Sequence, residues 1–271
     1  MAMMVVLAAV LLTYGVSTGI AMKAGESGAV AGKNSVLPLD MAKNSVDDSY
    51  SGCREQMKKV VKYYLQNEKN INPTFKAVWD RSEKIVRTKF NNWSKKVLKK
   101  DQIVALYSYT SDKVYRDFNN AVRTQGPQYK TRFGYHALHF LLTTAIQAKS
   151  ANRKKRCLTG YRRVNRYFRQ NVKNRHIRFG SFTSASQGHY SDAKTFGEKS
   201  CFQIFTCMGA DISRYSKYPQ EREVLIPPYE VFKVVEIKKR SAMQPNLPCK
   251  VVYKVKSTGY VSKLNCALFK M

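Results

Sequence analysis

Acidic residues are scarce in this chain. It carries 18 Asp+Glu against 48 Lys+Arg, a formal net charge of +30 over 271 residues. That excess draws the protein toward polyanions: nucleic acid, acidic glycans, anionic membranes or acidic proteins. Charge alone does not choose among them. No apolar run reaches the roughly 18 residues of a membrane-spanning helix. No CxxC pair occurs, and His136, His139, His176 and His189 are not placed as zinc-finger partners. Among the 14 glycines there is neither GxGxxG nor GxxxxGK[ST], which excludes a Rossmann turn and a P-loop. GxSxG is missing too, so Ser184 with nearby His189 and Asp192 is rejected as a hydrolase triad. With no RNP1-type aromatic motif and no pattern for double-stranded RNA, no specific nucleic-acid partner is expected.

What is present begins with a core. Apolar residues make up 44% of the chain and aromatics 12%, enough to bury a sizeable interior and unlike a disordered chain. Met1 to Met22 has no charge, with an apolar stretch Met3 to Leu12 followed by small residues. This is the pattern of a secretory signal peptide over residues 1–22, although no basic residue precedes the apolar stretch. Leu264 to Met271 lacks the long hydrophobic tail of a lipid-anchor signal. The expected product is therefore secreted and extracellular, or stored in granules. Six cysteines, an even number in a secreted chain, favour disulfides, and six permit fifteen pairings. His136 and His139, three apart on one helix, are either a metal-holding pair or two packed histidines.

The hydrophobic period changes along the chain. Met57, Val60, Val61, Tyr64 and Leu65 form one helical stripe. Phe75, Val78 and Trp79 start another helix after Asn72-Pro73. Val114 to Arg123 reads as a third, and Arg132 to Lys149 as the longest. From His176 onward the pattern turns to short β-rich runs: His176 to Thr183, Phe202 to Cys207, Val231 to Ile237 and Val251 to Val255. Helices first and strands second predict an α+β fold. Basic runs such as Lys95-Lys96, Lys99-Lys100, Arg153 to Arg156 and Lys238 to Arg240 are phosphate contacts or plain solvated surface.

Against this basic background, Glu221-Arg222-Glu223 precedes the apolar Val224-Leu225-Ile226. In an extended segment both glutamates would share one face. Two carboxylates together suit chemistry on a cationic centre. An arginine in Tyr161-Arg162 and a serine run, Phe182-Thr183-Ser184-Ala185-Ser186, come before them in the chain.

In that order, these motifs resemble the secreted and cell-surface arginine-specific mono-ADP-ribosyltransferases of vertebrates. Tyr115, Phe118-Asn119, Ala121-Val122-Arg123 and Leu138 to Thr143 resemble their helical half, and Asp47-Asp48-x-Tyr50-x-Gly52-Cys53 their mature N-terminal region. The resemblance spans nearly the whole mature chain and implies one catalytic domain over residues 39–271, with a split mixed β-sheet. It implies NAD as co-substrate, no metal, and an arginine of an acceptor protein as target. Tyr161, Arg162, Ser184 and Glu223 would bind NAD, with Arg162 on its pyrophosphate. Ser184 would hold Glu223 in place. Glu223 would face the oxocarbenium-like ribose carbon. Glu221 would orient the acceptor guanidinium and take its proton.

Members of the family usually have Gly after the motif arginine, where this chain has Arg163. That side chain would either crowd the phosphate or add a cation. By resemblance Cys53 should pair with Cys266. A Cys157–Cys207 bridge is expected to tie the segment before Arg162 to the end of the strand Phe202 to Thr206. Cys201 and Cys249 are left free or paired with each other. Two other readings fit the charge: a secreted cationic glycan-binding or antimicrobial protein on the same fold with little catalysis, and a nucleic-acid-binding module.

Overall fold

The computed structural model of the chain describes residues 35–90, 97–153, 157–191 and 196–270. The expected signal peptide, Lys95-Lys96, Lys154 to Arg156 and Asp192 lie outside the described residues. Helices α1 (Arg54–Ile71), α2 (Pro73–Lys89), α3 (Lys100–Tyr109), α4 (Asp112–Thr124) and α5 (His136–Ala151) precede most of the strands. Among the described residues, only the short β1 (Val36–Leu37) comes before them.

α2 starts where the sequence says it should. The Asn72 side chain accepts from the Phe75 amide at 2.9 Å, and Pro73 fills the first helical position, where no amide hydrogen is needed. Its buried Phe75, Val78, Trp79, Ser82 and Val86 form a stripe at helical spacing. α5 is the central helix, buried without interruption from His136 to Ile146. It starts later than the period suggests. The amides of Thr131, Arg132 and Phe133 all turn back onto the Gln128 carbonyl, which keeps that stretch out of the helix. Glu68 of α1 then caps α5, accepting from the Ala137 amide at 2.6 Å. Its carboxyl oxygen meets an amide that has no partner within the first turn of α5. Burial still pushes Glu68 up to about 8. His139 uses both ring nitrogens on protein partners, the Tyr50 hydroxyl at 2.9 Å and the Val46 carbonyl at 3.1 Å. It is a core residue, and burial holds it down at about 3.

The remaining strands are β2 (Leu158–Val164), β3 (Tyr167–Phe168), β4 (His176–Ile177), β5 (Thr183–Ser186), β6 (Ser200–Thr206), β7 (Ala210–Asp211), β8 (Glu223–Ile226), β9 (Glu230–Lys239) and β10 (Val251–Tyr260). Eight form one mixed sheet in the order β4-β9-β10-β6-β2-β5-β8-β7, with β10 and β6 parallel and the other neighbours antiparallel. The continuous strand expected from His176 to Thr183 is broken. Arg178 turns inward, bonding Asp47 at 2.5 Å and the carbonyls of Met41 and Ala42. Gly180 follows with φ of +73°, where a Cβ would stand 2.6 Å from that of Ala42.

Asp48 fastens the two ends of the chain together, accepting from the Tyr50 and Cys266 amides and the Tyr129 hydroxyl. The disulfides are Cys53–Cys266, Cys157–Cys207 and Cys201–Cys249. Asp48 lies beside Cys53 and Cys266, but their sulfurs are bonded to each other, so the cluster has no thiolate to offer a metal.

Candidate active site

The sheet nearly divides at the junction of β2 and β5. β2 pairs with β6 along its full length, yet meets β5 only at Tyr161 and Ser186. Gly160 allows that approach, since a Cβ there would stand 2.8 Å from the Ala185 Cβ. Beyond the contact, Arg162 bridges the gap: its Nη1 donates to the Ser184 carbonyl at 2.7 Å.

On the other side of β5 the pairing with β8 sets the chemistry. Ser186 lies opposite Glu223, and Ser184 opposite Leu225. Alternate residues share a face, so Ser184, Ser186 and Glu223 stand together while Ala185 and Val224 enter the core behind them. Ser184 Oγ donates to Glu223 Oε1 at 2.5 Å, and Ser216 Oγ lies 3.5 Å from Glu223 Oε2. Glu223 and Ser184 are completely buried. The helical layer braces the serine strand, because the Tyr109 hydroxyl donates to the Phe182 carbonyl and accepts from Asn119. Burial pushes Glu223 up to about 7. The nearby Glu221 charge adds to that rise, while Ser184, Ser216 and Arg162 oppose it.

Glu221 does not share a strand with Glu223, which corrects the expectation from alternation. It ends a 3-10 turn, Pro219–Glu221, and Arg222 is left-handed with φ of 47° and ψ of 49°. The strand begins only at Glu223. A left-handed non-glycine residue costs about 1–2 kcal/mol, and such conformations gather at functional sites. The turn leaves Glu221 half-buried beside the fully buried Glu223.

Arg162 opens onto a cleft of about 610 Å³, a volume suited to a small-molecule ligand. Arg123, Arg166 and Arg178 line it with Tyr115 and Phe179. Arg123 donates to Ser181 Oγ at 2.9 Å. Burial pulls its guanidinium down and the Arg162 charge adds to this, against Tyr115. Neither Arg123 nor Ser216 was picked out as a site residue in the sequence. Arg123 was visible only as the end of a helical motif, and Ser216 had no signal.

Arg163 points the other way. As the next residue in a strand it faces the opposite side, where Nε donates to the Gly197 carbonyl at 2.8 Å and Nη1 to that of Tyr190 at 3.4 Å. It therefore neither crowds Arg162 nor adds a cation beside it. Tyr161 shares this far side, edge-on to Tyr190 at 4.9 Å, so its side chain is not in the cleft with Arg162.

Known proteins share this sequence pattern and this fold. The sequence pattern of the family described as NAD:arginine ADP-ribosyltransferase matches residues 39–247. The human GPI-linked NAD(P)(+)--arginine ADP-ribosyltransferase 1 is 34% identical over 252 residues, covering 86% of this chain and 75% of its own length. The chicken NAD(P)(+)--arginine ADP-ribosyltransferase 2 is 32% identical over 272 residues, covering 98% and 82%. The crystal structure of the eucaryotic mono-ADP-ribosyltransferase ART2.2 superimposes with a TM-score of 0.71 at 29% identity, over 86% of this chain and all of that one. A variant of ART2.2 has been solved with NADH bound. The split sheet, the buried serine–glutamate pair and these matches agree, and the chain belongs to the NAD:arginine ADP-ribosyltransferase family.

Proposed function

We propose that the protein transfers ADP-ribose from NAD to arginine side chains of acceptor proteins, releasing nicotinamide, with NAD hydrolysis as a side reaction. The observation that carries this reading is Glu223: fully buried, bonded to Ser184 Oγ at 2.5 Å, on a serine whose carbonyl holds Arg162. Arg162 and Arg123 supply two guanidiniums for a pyrophosphate. Ser184 and Ser216 fix the Glu223 carboxylate. Its negative charge then opposes the positive ribose carbon as the bond to nicotinamide weakens. Nicotinamide leaves as a neutral ring, so no general acid is needed there. Glu221, in the turn next to it, orients the acceptor guanidinium and takes its proton during attack. Without that help a guanidinium stays protonated, with a pKa above about 12.

Residues 39–271 act as one catalytic domain, an assignment supported by the Cys53–Cys266 bridge between its ends. We place the protein outside the cell, secreted or granule-stored, after removal of residues 1–22. Three disulfides suit an oxidising compartment, and among the described residues no helix is long and apolar enough to cross a membrane. Anionic glycans are proposed as further partners. Lys233 and Lys256 are exposed and directly opposed across β9 and β10, with His176 opposite Lys233 on β4, a basic patch suited to polyanions. Retention on heparin should fall steeply with salt and survive Glu223→Gln. Elution at low salt, as for a neutral protein, would refute that partner.

The deciding experiment is incubation with labelled NAD and a small guanidino compound. Label on the guanidine supports the transferase. NAD untouched, with polyanion binding intact, supports the binding protein instead.

A further inference from the structure

The segment 212–222 between β7 and β8 carries Glu221 and is held rigidly against the site. The Ile212 amide donates to the Glu223 carbonyl at 2.9 Å, and the Lys217 amide to Thr110 Oγ1 at 3.0 Å. The Tyr218 amide donates at 3.0 Å to Ser216 Oγ, the same oxygen that lies 3.5 Å from Glu223. Tyr215 is buried against Phe90. With the backbone so bonded, the exposed side chains of this segment flank Glu221 along the chain. Arg214, Lys217 and Arg222 are all exposed there. None of the three is in an ion pair among the described residues. The neighbouring Asp211 accepts from the Ser213 amide and hydroxyl through Oδ1.

An acceptor arginine thus approaches a carboxylate past three cations that make no ion pair among the described residues, on a chain of net charge +30. Its own positive charge is repelled at every step of that approach. Negative residues on either side of the arginine would reverse this, pairing with the rim while the guanidinium reaches Glu221. Building on the transferase reading, we propose that Arg214, Lys217 and Arg222 select arginines set in acidic segments of the acceptor protein. Repulsion of basic contexts contributes as much to that choice as attraction of acidic ones.

The test uses three acceptors with labelled NAD: agmatine, a peptide whose single Arg is flanked by two Glu on each side, and the same peptide with Lys in place of Glu. At low salt the acidic peptide should exceed the basic one in kcat/KM by at least about tenfold, and the ratio should shrink toward one as salt screens the rim. The double variant Arg214→Gln/Lys217→Gln, which leaves Arg222 and the turn beside Glu223 intact, should abolish most of the preference. Its NAD hydrolysis should stay within about twofold of the parent, which also reports folding. If that variant does not fold, Lys217→Gln and Arg214→Gln should each reduce the ratio separately. A parent ratio near one, or a ratio unmoved by all these variants, overturns the inference. Absence of label on agmatine as well as both peptides overturns the transferase reading itself, and this inference with it.

Discussion

Removing one glutamate at a time separates the two halves of the reaction. Glu223→Gln preserves the site's shape, because an amide oxygen still accepts from Ser184 and the amide nitrogen can donate to Ser216. Only the charge is lost. A carboxylate about 4 Å from a full positive charge is worth ~4 kcal/mol at an effective dielectric of 20. NAD hydrolysis and arginine transfer should therefore both fall on the order of hundreds-fold. Glu221→Gln leaves Glu223 in place, and water still captures the cation, so nicotinamide release should continue while acceptor labelling collapses.

The pH profiles give a second readout. Glu223 sits at about 7 and must be charged to act, so NAD hydrolysis should rise as pH increases through that value. The Glu221 charge contributes to holding it there, so Glu221→Gln should move the rise to lower pH. The assay measures free nicotinamide and labelled acceptor side by side across pH. Equal loss of both activities in Glu221→Gln would refute the division of labour. Full activity in Glu223→Gln would refute the site.

Arg162→Lys should raise KM for NAD and destabilise the sheet junction by about 1–2 kcal/mol, because Lys loses both the paired donors and the bond to the Ser184 carbonyl; initial rates and thermal melts check each part. Glu68, raised to about 8, holds its proton in the folded chain where the unfolded chain has lost it. Its contribution is complete below about pH 4.5 and lost as pH rises through about 8, on the order of 3–5 kcal/mol. Glu68→Gln should flatten denaturant midpoints over that window, and an unchanged slope would count against the assignment. Cys53→Ser/Cys266→Ser opens a link between residues 213 apart and should cost about 5 kcal/mol in the chain-entropy model, read from urea unfolding.

What the sequence determined was local pattern and motif order. The stripe of α2 and its Asn72-Pro73 start follow from period and capping chemistry alone. The order of Arg162, Ser184 and Glu221-Arg222-Glu223 pointed to the family before any contact was known. Helix α3 was not marked as an element, because it is buried nearly all round and has no polar face to reveal a period. Where the chain abandons regular structure, pattern failed. Alternation placed Glu221 and Glu223 on one strand face, and the left-handed Arg222 prevents it.

The site itself is decided by contacts between distant residues. Ser184 meets Glu223 across 39 positions, and Arg162 reaches Ser184 across 22. Arg163 follows Arg162 directly, yet the pleat of β2 sends it to the opposite face. Neighbours in sequence face apart in a strand, while the near-split between β2 and β5 brings remote residues together. That split exists only once β2 has paired with β6 and β5 with β8, so only the assembled sheet could set the distances on which the chemistry depends.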